Sequence, residues 1–139
     1  MNRIHFLGMS LLILLSCTLQ AAVIHVPGDQ PTIQEGIEAA LDGDTVLVAD
    51  GTYSGYGNTH LSFLGKAITV ASANGPDDCI IDLMGEEGRI CEFTNDEGRD
   101  SVLRGFTMRN GLALGGGSIL IEHASPTIEG NVIESSLSL

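Results

Sequence analysis

Between Ser101 and Ile133 the sequence SVLRGFTMRNGLALGGGSILIEHASPTIEGNVI states one pattern twice, with Leu103, Gly105 and Met108 returning 25 residues later as Ile128, Gly130 and Ile133. Apolar residues alternate in short runs, and turns of Asn, Gly, Ser and Pro separate the runs. Alternation at period two gives each strand one inward face. A fixed offset of this size lets each strand lie on the equivalent strand of the next turn. The pattern predicts an all-β chain coiled as stacked parallel strands. Successive strands lie too close for βαβ crossovers, which take about a dozen residues or more. An antiparallel sandwich is the remaining alternative.

The chain has 139 residues, 43% of them hydrophobic, enough for one domain with a real core. Its 18 glycines, 4% aromatics and 17% charged residues suit tight turns around slim aliphatic strands better than a helical bundle. The formal charge of -12 argues against nucleic acid, whose phosphates need the opposite field. The same field opposes uronate polymers unless calcium or a local basic patch intervenes.

Residues 1–22 read as an export signal. Arg3 supplies the positive start, and Phe6 to Leu15 form an apolar run too short to span a bilayer comfortably. Gln20-Ala21-Ala22 offers small residues for cleavage; Leu14-Leu15-Ser16-Cys17 resembles a lipoprotein box that would lipidate Cys17 and anchor the protein to a membrane. Either route places the protein outside the cell or in a bacterial envelope. Cys79 and Cys91 then remain. Their spacing allows a disulfide in an oxidising compartment, but they read more simply as two small buried hydrophobes, with no metal-ligand spacing around them.

Residues 23–139 form the folded domain, with a cap over 23–44 and coils over 45–139. Val23 to Val26 is a strand turned by Pro27-Gly28-Asp29. Thr32-Ile33-Gln34-Glu35 has the form of a capping box, in which the Thr32 hydroxyl and the Glu35 carboxylate each satisfy a backbone amide. Ile33, Ile37, Ala40 and Leu41 share a helix face, and Asp42-Gly43 should stop the helix. Gly36 in its middle costs about 1 kcal/mol relative to Ala, so the helix must be held by docking. It is expected to lie as a lid on the open first rung. Strands are expected at Thr45–Ala49, His60–Leu64, Ala67–Ser72, Cys79–Leu83, Arg89–Thr94, Val102–Arg109, Ser118–Glu122 and Pro126–Glu134. Ile68, Val70, Cys91, Phe93, Leu103, Phe106, Met108, Ile119 and Ile121 should point inward.

The run TIQEGIEAALDGDTVLVADGTY resembles the opening of right-handed parallel β-helix proteins of the pectin-lyase-like superfamily. VLRGFTMRNG and GGGSILIEHASPTIEGNVI resemble the repeating coils of its bacterial secreted and surface members. The resemblance covers nearly all of residues 23–139 and implies fold rather than chemistry, since this architecture carries lyases, hydrolases, esterases, epimerases and non-catalytic proteins. Such proteins stack more coils and end in a cap, whereas here Ser135 to Leu139 follow a strand directly. The sequence therefore reads as the first part of a longer stack.

No catalytic residue emerges. The acidic pairs could gather calcium, which needs several oxygens converging on one point, but none has a calcium-loop spacing. Asp82 and Glu92 would have to flank one groove to act on a glycosidic bond. Arg104 and Arg109 are expected to project outward from one strand, where they could grip carboxylates; salt bridging to neighbouring acids is the plainer role. Tyr56, in the Gly-flanked GTYSGYG, could offer a platform to sugar rings, while Tyr53 plugs a turn. Asn74, Asn110 and Asn131 suit left-handed turn positions and could stack into ladders. The weak ligand-binding set is thus Tyr56, Arg104, Arg109 and Glu92. The expected function is an exported module binding glycans or other surface polymers without catalysis. The alternatives are the N-terminal part of a polysaccharide lyase, hydrolase or epimerase, and an inert spacer.

Overall fold

A computed structural model describes residues 20–115 and 117–138. The export signal and Cys17 lie outside the described residues, apart from Gln20, Ala21 and Ala22. The chain forms a parallel β-solenoid of about 4 turns with a short helix near its N-terminus. After β1 (Val23–Val26) and α1 (Ile33–Ala39), the first turn carries β2 (Thr45–Val48), β3 (Gly51–Tyr53) and β4 (Leu61–Ser62). The second carries β5 (Thr69–Ser72), β6 (Cys79–Asp82) and β7 (Cys91–Phe93). Then come β8 (Val102–Arg104), β9 (Thr107–Arg109), β10 (Leu112–Ala113) and β11 (Ile119–Ile121), and finally β12 (Thr127–Glu129), β13 (Val132–Glu134) and β14 (Leu137–Ser138).

These stack into parallel sheets in the orders β1-β2-β5-β8-β12, β13-β9-β6-β3 and β11-β7-β4, with a small β10-β14 pair. Every ladder between named strands is parallel, which excludes the sandwich. The 25-residue repeat is real in space: Leu103 pairs with Ile128 and Met108 with Ile133. Inward positions form ladders through the core. Val46, Val70 and Leu103 align in one sheet, Ile81 and Met108 in another, and all five are fully buried. In the third sheet Leu61 aligns with Cys91, and the Phe63 and Phe93 rings pack at a tilt of 43° with centroids 4.7 Å apart.

Several expected strands divide where the chain turns a corner. Gly51–Tyr53 is a strand rather than the end of one. Val102–Arg109 breaks into β8 and β9 at Gly105, whose φ of 79° lies in the left-handed region that a Cβ disfavours. Pro126–Glu134 breaks the same way at Gly130. Ile119 is only half-buried and Ile121 is 48% exposed, against the expectation that both point inward. Their strand is the outer member of its sheet, so Phe93, one rung in, is covered on both sides and Ile121 is not.

Helix α1 is the expected lid. Ile33, Ile37 and Gly36 are buried beneath it, and Gly36 faces Val26 and Val46 so closely that an added Cβ would stand 2.8 Å from Val46 Cγ1. The helix needs Gly there because its backbone rests on the first strands. It ends at Ala39, earlier than Asp42-Gly43, because its last carbonyls find a distant partner: Lys66 Nζ donates to the carbonyls of Ile37 (2.8 Å), Glu38 (2.8 Å) and Ala40 (2.9 Å). A cation at this end also suits the helix dipole. The capping box differs in detail from expectation. The Glu35 amide donates to Thr32 Oγ1 (3.3 Å), but the Glu35 carboxylate accepts from the Thr32 hydroxyl (2.9 Å) rather than from a backbone amide.

Candidate functional site: a groove beside the lid helix

The first-turn amides of α1 draw a loop against the helix. Ile33 N donates to Asn58 Oδ1 (3.2 Å) and Gln34 N to the Gly57 carbonyl (2.8 Å), which fixes the loop from Ser54 to His60 beside the helix. The Gln34 side chain then extends the sheet. Its Nε2 donates to the Ser62 carbonyl (3.2 Å) while its Oε1 accepts the Ser62 amide (3.0 Å), so one side chain completes the edge of β4 as a further strand residue would. Between helix, loop and β4 lies an open groove of about 660 Å³. Glu35 and Glu38 form its helical wall, Tyr56 and His60 come from the loop, Ser62 from β4, and Glu86 from the turn after β6. Tyr56 is fully exposed.

Of the expected ligand residues, Tyr56 alone belongs to this groove. Arg104 and Arg109 do not project from one strand: the Gly105 corner puts Arg104 on β8 and Arg109 on β9, in different sheets. Arg104 is exposed and stands 3.9 Å from Glu129, beside a shallow depression of about 480 Å³ floored by Gly75, Gly105 and Gly130. Arg109 Nε donates to Asp82 Oδ2 at 2.7 Å. Glu92 lies on β7 and accepts from Arg89 at 3.2 Å. Asp82 and Glu92 sit on different sheets, and each carboxylate has its own arginine.

Asp82 is a buried structural anion. Burial by itself raises its carboxyl, but hydrogen bonds from Asn110 Nδ2 (2.7 Å), the Met84 amide (2.7 Å) and Arg109, with the guanidinium charge, hold it below the ordinary carboxylate value. The asparagines do not form a ladder. Asn110 has the expected left-handed backbone but binds Asp82; Asn74 binds Asp50; Asn131 bridges the Phe106 amide and the Leu103 carbonyl one turn away. Asn74 and Asn131 are not left-handed. Cys79 and Cys91 are unpaired and buried in different sheets. Burial, helped by Asp50, pushes the Cys79 thiol up to about 12, and burial likewise raises Cys91. Among the described residues no three His, Cys, Asp or Glu side chains are grouped to hold a metal ion. No helix among them is long and apolar enough to cross a membrane.

The residues that sequence reasoning missed are the groove's acids. Glu35 was legible only as a helix cap, and Glu38 lies three residues further along the same helix. Nothing in the sequence places Glu86 opposite them.

The architecture defines the class: a parallel β-solenoid with a helical lid and one aromatic-rimmed, acid-walled groove among the depressions described. No family model, curated protein or solved structure matches the chain.

Proposed function

We propose that the protein is an exported β-solenoid of the pectin-lyase-like kind that binds glycans or other surface polymers without transforming them. The observation carrying this reading is the Tyr56 ring, fully exposed at the rim of an open groove of about 660 Å³. An aromatic face in water, next to hydrogen-bonding side chains, is what the C–H face of a sugar ring packs on. Export follows from the Arg3-led apolar leader, and an envelope or extracellular location from export. The separation of Arg104 from Arg109, each with an acidic partner, weighs against a lyase site built on that arginine pair.

The test is retention on immobilised glycans, compared with Tyr56→Ala. Tyr56 is solvent-exposed, so the substitution leaves the fold intact and should cost binding about fivefold or more. Retention unchanged by Tyr56→Ala removes the groove from the proposal. Release of unsaturated uronate from pectate, alginate or chondroitin overturns the non-catalytic reading.

A further inference from the structure

We propose that the groove beside α1 selects protonated amino sugars, the glucosamine-type units of deacetylated polysaccharides, and rejects uronates; this deepens the glycan-binding reading and rests on it. The inference starts from which groups remain unspent. Gln34 and the Ser62 backbone satisfy each other, and Thr59 Oγ1 donates to the Gly55 carbonyl. The carboxylates of Glu38 and Glu86 form no hydrogen bond or ion pair among the described residues, and Glu35 uses one oxygen on Thr32. None of the residues lining the groove is Lys or Arg, and its one imidazole, His60, shares a hydrogen bond with Thr59 Oγ1 through Nδ1 at 3.2 Å. Lys66, behind the helix, has its ammonium committed to three backbone carbonyls.

The groove thus presents acceptor-only carboxylates on two walls with an aromatic face at the rim. A carboxylate accepts hydrogen bonds and cannot donate them, so the fitting ligand brings donors and positive charge. A protonated 2-amino sugar has three N–H donors on one carbon of a ring whose C–H face can rest on Tyr56. Its ammonium is also attracted by the ring's π face. A uronate brings a further anion into a site that already holds three, in a chain of net charge -12. A neutral N-acetyl sugar keeps the stacking and loses the charge term.

Isothermal titration calorimetry at mildly acidic pH, with glucosamine oligomers, their N-acetylated counterparts, oligogalacturonate and spermine, tests the proposal on the protein and its variants. Exposed ion pairs each contribute modestly, so Glu38→Gln and Glu86→Gln should each weaken glucosamine-oligomer binding about two- to fivefold, and added salt should weaken it further. Tyr56→Ala should weaken it too. Equal affinity for acetylated oligomers, insensitive to both Glu→Gln changes, overturns the charge selection while leaving glycan binding standing. So does tighter binding of oligogalacturonate. Spermine binding as well as the oligomer, with no effect of Tyr56→Ala, reduces the groove to a cation patch and overturns the proposal. Binding of no sugar at all overturns both this inference and the reading beneath it.

Discussion

Replacing Gly36 by Ala sets two effects of opposite sign against each other on helix α1. Local propensity favours the change, since Ala in a helix interior is about 1 kcal/mol better than Gly. Docking opposes it. The new Cβ would stand 2.8 Å from Val46 Cγ1 and 3.0 Å from Val26 Cγ2, where ordinary contact begins near 3.4 Å. Both valines are buried and β-branched, so neither can rotate aside without an off-rotamer cost. The helix must instead lift by several tenths of an ångström, straining the Gln34 bonds to β4 and the Lys66 bonds to its carbonyls. Overpacking of this kind costs about 1 to 3 kcal/mol. The net expectation is a destabilisation of about 1 kcal/mol. Urea unfolding should show it as a midpoint about 0.5 M lower at unchanged slope. In the double mutant Gly36→Ala, Val46→Ala, the cavity and the extra methyl compensate, so the pair should be less destabilised than the sum of its singles by about 1 kcal/mol. A Gly36→Ala protein more stable than its parent would refute the reasoning, because propensity would then be acting on a helix that does not rest on Val26 and Val46.

Three further outcomes follow from the same structure. Lys66→Met keeps the side-chain stem but removes three charge-assisted bonds from the end of α1; it should destabilise by about 2 kcal/mol in the same urea assay, and Lys66→Arg should recover part of the loss. Asp82 and Asp44 are both held below the ordinary carboxylate value of 3.8, Asp44 by the amides of Ala22 and Leu41. A depressed folded pKa gives stability that is fully present above the unfolded value and lost as pH falls through the folded one. Melting temperature should therefore drop below about pH 4, and less steeply in Asp82→Asn, which should itself cost about 1 to 3 kcal/mol at neutral pH. The thiols of Cys79 and Cys91 should resist a disulfide reagent in the native protein at mildly alkaline pH and react in denaturant; rapid native labelling would contradict their burial.

Legibility followed the range of the interactions involved. The Ser101–Ile133 repeat was readable because the corner from β8 to β9 and the corner from β12 to β13 have the same length, so equivalent residues keep one 25-residue offset through both sheets. Elsewhere the offset runs from 22 residues between Val23 and Thr45 to 33 between Thr69 and Val102, as loops of different length join strands that nonetheless align. Loop length is cheap to vary on a surface, so periodicity in sequence fades while periodicity in space remains. The N-cap at Thr32 was legible for the opposite reason, since its donor and acceptor lie three residues apart.

The amino-acid order alone determined the strand alternation, the inward set through Val70, Phe93 and Leu103 and the helix start, because these rest on near-neighbour geometry and on which faces must leave water; it pointed to coiled parallel strands, and the ladders then excluded the sandwich. Only the tertiary structure decided where α1 stops, which strand carries each arginine, and which acids share a groove. Lys66 reaches back across 26 to 29 residues to close the helix. Gly105 sends Arg104 and Arg109 to different sheets, and Glu86 meets Glu38 only because a turn of the solenoid brings them to one side. Each of these outcomes is set by a partner far away in the chain, and coiling, rather than local preference, supplies that partner.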